Sequence, residues 1–244
     1  MPPLLQLSGL KKRFGEVLIA DGIDLELEQG TAVGIVGPNG AGKTSLFGLI
    51  SGDLRPDAGE VRLDGRLVSR LDAATRCRLG LGRTYQVPRP FEGLTVFENV
   101  LLAAQQGAGA RKAESHDLAL DSLERVRLGR DANRSAGALG LLDRKRLELA
   151  RALATRPRLL LLDEVAGGLT DPEVRELVEI VQSANAAGTT VLWIEHVVRA
   201  LVAVVDRLLC LADGHFLADG TPRAVLADPA VREIYLGSAV AVPT

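Results

Sequence analysis

The chain has 244 residues, 47% of them hydrophobic and 25% charged, enough to bury a sizeable core and unlike a disordered chain. Its formal net charge of −2 offers neither the basic footprint that nucleic acid demands nor a polybasic membrane anchor. Cys77 and Cys210 stand far apart without CxxC or metal-ligand spacing, as expected of two buried thiols in a reducing compartment.

The opening stretch MPPLLQLSGLKKRFG reaches its charges too early for a signal peptide. No apolar run attains the roughly 18 residues that cross a bilayer. The best, residues 197–205, is broken by Arg199 and followed by Asp206, so any membrane role needs a partner. Residues 32–36 (AVGIV) form a short apolar run ending in a Gly-rich turn, which predicts a buried strand. A helix is expected over 43–50, stopped by Ser51 and Gly52. Residues 61–68, turning at Asp64-Gly65, read as a β-hairpin, and with 4–7 and 23–27 suggest a small antiparallel sheet. Residues 95–155 are helical in pattern, with a polar interruption at 105–115 and a loop around 129–137. Apolar runs at 158–162 and 190–194 flank a helix-like 172–187, the βαβ grammar of a parallel sheet covered on both faces.

The chemistry-bearing residues sit where these strands end. Gly37, Pro38, Asn39, Gly40, Ala41, Gly42, Lys43 and Thr44 match G-x-x-x-x-G-K-[ST] between a predicted strand and helix. Backbone N–H groups of such a loop curl round phosphates, Lys43 reaches the β- and γ-phosphates, and Thr44 can ligate Mg²⁺. Four leucines precede Asp163 and Glu164, placing both acids at the C-terminal edge of a strand, where ligands bind in parallel sheets. One carboxylate can hold Mg²⁺ through water, and the next can orient or deprotonate an attacking water. Gln86 closes the run GRTYQ, and His196 follows the apolar strand ending in Ile194-Glu195. His116 and His215 lack such a setting.

The motifs GPNGAGKT, RTYQ, LLLLDE and IEH, in this order and spacing, resemble those of ABC-type ATPases along essentially the whole chain. The resemblance implies an α/β fold: a P-loop (RecA-like) parallel-sheet core with an antiparallel β subdomain and an inserted helical subdomain. Residues 1–85 and 158–244 would form the core and 86–157 the helical insertion. It further implies ATP and Mg²⁺ as cofactors and a head-to-tail dimer with two ATPs between protomers. In this likeness Phe14 matches the aromatic that stacks on adenine, and Gln86 the glutamine that touches Mg²⁺ or water. Asp163 matches the Mg²⁺-binding acid, Glu164 the catalytic base, and His196 the histidine that contacts the γ-phosphate. Transmembrane permease subunits would be partners on the cytoplasmic face of the inner membrane, with Phe91, Leu94, Val96 and Phe97 offered to them.

FEGLTVFENV and the tail ADGTPRAVLADPAVREIYLG resemble the branched-chain amino acid transporter ATPases, implying import and a solute-binding protein in the complex. Lipopolysaccharide-export ATPases share a similar tail and form the alternative. A soluble ABC-type ATPase acting on ribosomes or DNA would need a second nucleotide domain, basic arm or long insertion, and a GTPase would need an NKxD motif. Three departures from the family pattern stand out. The LSGGQ signature reads Leu139, Gly140, Leu141, Leu142, Asp143; Thr170 replaces the D-loop Asp; and Val165 replaces the Pro after the glutamate. Asp143 is expected to be a helix N-cap or a charge near a partner's phosphate. The degenerate signature favours an unlike second ATPase subunit over a homodimer.

Overall fold

The structure, a computed structural model, describes residues 2–236. It opens with a long antiparallel hairpin, β1 (Leu5–Phe14) and β2 (Val17–Leu27). β3 (Ala32–Val36) feeds α1 (Lys43–Ser51), which ends one residue later than expected; Gly52, at φ 91°, returns its N–H to Gly48. β4 (Ala58–Leu63) and β5 (Arg66–Leu67) form the expected hairpin. Asp64 and Gly65 both take positive φ there, the pairing that a two-residue turn matched to strand twist requires. Next come α2 (Ala73–Arg78) and β6 (Leu81–Arg83), then α3 (Val96–Gly107), α4 (Lys112–Arg125) and α5 (Leu141–Ala154). β7 (Leu159–Asp163), α6 (Asp171–Ala186), β8 (Thr190–Ile194), α7 (Val198–Val202) and β9 (Arg207–Ala212) follow. β10 (His215–Gly220), α8 (Pro222–Ala227) and α9 (Pro229–Leu236) complete the described chain. Gly237, the last residue of the tail that carries the resemblance, lies outside the described residues.

Two sheets result. One has the order β2-β1-β4-β5 and is antiparallel; the other has the order β10-β9-β3-β8-β7-β6, parallel except for the edge strand β10. Alternation along the central strands divides the core. Leu160, Leu162, Val191 and Trp193 face a cluster with residues of α3 to α7. Leu159, Leu161, Leu192 and Ile194 face the antiparallel sheet and α1. All eight are 0% exposed, and full burial of one such side chain is worth about 1.5–3 kcal/mol. A one-residue slip would exchange the two sets, so register is pinned from both faces.

The helical stretch resolves into three helices; within the polar run the chain leaves helix only at residues 108–111, less than that run suggested, and it leaves α-helix again over 126–140, around the expected loop. α3 starts on a capping box: Thr95 Oγ1 accepts from the Glu98 N–H (3.1 Å), and the Glu98 carboxylate accepts from the Thr95 N–H (2.7 Å). Val96 then points inward, fully buried, and Leu94 and Phe97 are partly buried. Of the four apolar residues expected at a docking surface only Phe91 is exposed (48%), joined by Tyr85 and Val87. Three strands were not anticipated. β6 is only three residues long and is drawn into the sheet by pairing with β7. β9 and β10 follow the short α7 and pair with each other at the opposite edge.

Candidate functional site

β3, β6, β7 and β8 are parallel neighbours, so their C-terminal ends lie along one edge of the sheet. That edge gathers the Gly-rich loop after β3, Gln86 after β6, Asp163 and Glu164 at the end of β7, and His196 after β8.

The loop is shaped by glycines that nothing else can replace. A Cβ on Gly37 would lie 2.1 Å from the Leu211 carbonyl oxygen, and one on Gly42 2.8 Å from that of Ile19. Gly40 and Gly42 adopt φ 84° and 92°. Gly42 is the N-cap of α1 and supplies no side-chain cap, so the first-turn N–H groups are available to an anion. Lys43 is 7% exposed. Its Nζ donates to the carbonyls of Gly37 (2.8 Å) and Pro38 (2.9 Å), and the Pro38 carbonyl also accepts from the Ala41 N–H. Burial lowers the Lys43 pKa, against Glu164 and Asp163, which favour its charge. A cleft of about 280 Å³ opens over the loop, walled by Ile19, residues 39–45 and Glu164. Its open N–H groups, one buried ammonium and tight glycine backbone fit the phosphates of a nucleotide.

Beside it, Thr44 Oγ1 lies 3.4 Å from Asp163 Oδ1, while the other Asp163 oxygen accepts from Arg83 at 3.2 Å. Asp163 is 1% exposed; burial raises its pKa, and the Arg83 guanidinium pulls it back down. Arg83 spans the gap to α1, donating also to Ser51 Oγ (2.9 Å) and Asp53 Oδ2 (2.8 Å), and lies over the Tyr85 ring. One carboxylate oxygen and one hydroxyl therefore converge, both hard oxygen donors. Mg²⁺ bound to a nucleotide needs no more than one or two such protein ligands beside phosphate and water. The residues fit that ion.

Glu164 is held between two partners. His196 Nε2 lies 2.7 Å from Oε1, and Gln86 Nε2 donates to Oε2 at 2.6 Å. The amide of Gln86 is thus joined to Glu164 and, among the described residues, not to Thr44 or Asp163. Glu164 adopts φ 49°, a left-handed conformation that costs a non-glycine residue on the order of 1–3 kcal/mol. A carboxylate so placed at the mouth of a phosphate cleft can accept a proton from water. Sequence reasoning passed over two residues here, Arg83 and the buried Glu195. Arg83 precedes the expected Gln86 by three positions and was visible only as part of GRTYQ. Glu195, next to His196, is 1% exposed and accepts from the backbone N–H groups of Ala166, His196 and Val197.

Phe14 stands at the tip of β1, 47% exposed, with the Lys12 ammonium 5.3 Å from its ring centre. It does not line the phosphate cleft, which Ile19 of β2 reaches instead. In the signature segment Gly140, not Asp143, is the N-cap of α5. Asp143 sits in the first helical turn, where a negative charge suits the dipole, and its carboxylate pairs with Arg146 (3.2 Å). Leu141 is 47% exposed. Thr170 is the N-cap of α6; its N–H and hydroxyl both bond the Glu173 carboxylate at 2.7 Å. Val165 is buried.

Residues 20–167 match the ABC transporter family, and the chain belongs to it as an ATP-binding cassette, an ATPase. Residues 217–241 match a second family, the branched-chain amino acid ATP-binding cassette transporters. The chain is 38% identical to the high-affinity branched-chain amino acid transport ATP-binding protein BraF of Pseudomonas aeruginosa, over 97% of this chain and 99% of that one. The corresponding protein of Escherichia coli, LivG, gives the same figures. The lipopolysaccharide export system ATP-binding protein LptB of Acidithiobacillus ferridurans is 34% identical, over 97% and 98%. Among solved structures, the ADP conformation of an ATP-binding cassette of an ABC transporter superposes with a TM-score of 0.87 at 30% identity, over 97% of this chain and all of that one.

Proposed function

We propose that this chain powers the import of branched-chain amino acids or similar small solutes. It would work at the cytoplasmic face of the membrane through permease subunits, with a solute-binding protein and an unlike second cassette in the complex. The observation that carries the enzymatic part is Glu164, held between His196 and Gln86 at the mouth of the phosphate cleft. The cargo rests on the likeness of residues 217–241 and on BraF and LivG. No helix among the described residues is long and apolar enough to cross a membrane, which leaves translocation to partners.

Hydrolysis on this reading is a matter of positioning and charge. The loop N–H groups and Lys43 hold the phosphates. Glu164 accepts a proton from the attacking water, whose oxygen bonds to the γ-phosphorus as the bond to the ADP oxygen breaks. His196 and Gln86 fix the carboxylate before and during that transfer. Thr44 and Asp163 would hold Mg²⁺, which when bound offsets phosphate charge; Arg83 keeps the Asp163 carboxylate turned toward Thr44. Residues 86–157 serve as the helical subdomain, a reading supported by α3, α4 and α5 all lying between β6 and β7 in the chain. Val87 and Phe91 within it, and Tyr85 just before it, supply exposed apolar side chains.

The test is transport. The complete complex in proteoliposomes loaded with Mg-ATP should take up radiolabelled leucine, and Glu164→Gln in this chain should stop it. ATP-dependent lipid extraction with no uptake of any amino acid would move the assignment to export.

A further inference from the structure

The strained backbone of Glu164 is gripped from several sides. Its N–H donates to the Ile194 carbonyl at 2.8 Å. Its carbonyl accepts from Lys145 Nζ at 3.3 Å and from the Gly167 N–H at 3.4 Å. Two residues on, the Ala166 N–H donates to Glu195 Oε2 at 2.8 Å. The other Glu195 oxygen accepts from the N–H groups of His196 (2.9 Å) and Val197 (3.3 Å). One buried carboxylate therefore bridges the turn that carries Glu164 and the turn that carries His196.

Lys145 and Glu195 are 5% and 1% exposed, and neither lines the phosphate cleft. Lysine and glutamate are seldom buried this far unless paired. Burial lowers the Lys145 pKa while Glu195 and Glu164 favour its charge, and burial raises that of Glu195. Such groups persist where they satisfy specific backbone atoms, and here those atoms all belong to the two site-bearing turns. Lys145 arrives from α5, the helix that begins at the signature segment.

We propose that Lys145 and Glu195 are positioning residues for ATP hydrolysis, holding the turn from Glu164 to Gly167 by its carbonyl and amide sides so that Glu164 and His196 keep their mutual geometry. The inference rests on Glu164 as the base. Removing either group leaves the phosphate loop intact but frees the turn to relax toward an ordinary φ, carrying the carboxylate off its line. Because Lys145 rides on α5, any displacement of that helix loosens the same grip.

The experiment uses the assembled complex with Lys145→Met, Lys145→Arg and Glu195→Gln in the full-length chain, each also combined with Glu164→Gln. Single-turnover Mg-ATP hydrolysis, affinity for a fluorescent ATP analogue and the thermal midpoint are measured. Lys145→Met and Glu195→Gln should slow hydrolysis roughly tenfold to a hundredfold, the range a displaced catalytic group costs. Affinity should stay within about threefold, and Lys145→Arg should recover most of the rate. In the Glu164→Gln background neither change should add more than about a twofold loss, because groups acting through one residue are non-additive. Equal fractional losses in both backgrounds, or rates within about twofold of wild type, overturn the proposal. Should Lys145→Met fail to fold, Lys145→Gln and Glu195→Asp in the two backgrounds carry the same comparison. Failure of the underlying reading shows separately, as Glu164→Gln alone hydrolysing like wild type.

Discussion

His196 Nε2 stands 2.7 Å from Glu164 Oε1, although the two residues follow different strands, β8 and β7. The contact exists because those strands are parallel neighbours, Asp163 lying opposite Ile194. A base oriented in this way should be separable from nucleotide binding.

Glu164→Gln retains the shape of the side chain but not its ability to take the water's proton. Single-turnover hydrolysis at saturating Mg-ATP should fall about 10²- to 10⁴-fold, with affinity unchanged. A rate within about threefold of wild type would place the base elsewhere.

Lys43→Ala removes the ammonium that bridges the Gly37 and Pro38 carbonyls and faces the cleft. A charge-assisted contact of this kind is worth about 1.5–3 kcal/mol, or roughly 10- to 150-fold in affinity. Titration of a fluorescent ATP analogue measures it, and equal affinities for variant and wild type would sink the phosphate-loop assignment.

Arg83→Leu leaves Asp163 buried without its cation. Loss of one partner of a buried pair should destabilise the chain by about 3–5 kcal/mol. The sign with pH follows from Asp163, whose pKa burial already raises and Arg83 opposes. Without Arg83 the folded-state value climbs further above the unfolded one. Such a carboxyl favours the fold while protonated and loses that contribution as pH rises from the ordinary 3.8 through the raised value. Urea unfolding at about pH 5 and pH 8 should show the larger deficit at the higher pH. An equal deficit at both would mean that Arg83 acts only through Ser51 and Asp53.

The signature segment predicts an unlike partner. Leu141 and Leu142 occupy the first turn of α5 where the family pattern has glycines, and Leu141 projects into solvent. Their backbone N–H groups remain, but close approach of a phosphate is lost. The Glu164→Gln chain alone should stay monomeric in ATP by light scattering and dimerise when a cassette with intact LSGGQ is added. A stable ATP-dependent homodimer of this chain, with full turnover in the wild type, would remove the argument for two unequal sites.

Much of the site was legible because its parts are local. The phosphate loop needs glycines at set positions, and the predicted strand 32–36 matches β3. The acids after four leucines and the histidine after Ile194-Glu195 also announce themselves as strand ends. The helical stretch was visible in outline, as was its loop around 129–137, but not the shortness of its first break, since Gln105 and Gln106 are tolerated on a helix surface and Lys112 already begins the next helix. Val96 looked available for docking and is buried, because the Thr95–Glu98 capping box turns the first helical residue inward.

By itself the sequence determined the family, the phosphate loop and the order of the strand-end groups, all carried by short-range patterns of residue type. Only the tertiary structure decided which of those groups meet. Gln86 and His196 reach Glu164, Arg83 reaches Asp163, and Lys145 and Glu195 reach the turn beyond it, because strand order in the sheet is not order in the chain. It decided against Asp143 as a cap as well, since α5 begins at Leu141 and leaves that carboxylate to Arg146. Contacts of this kind depend on register and packing between segments distant in sequence, and hydrophobic patterning constrains those only through the folded core.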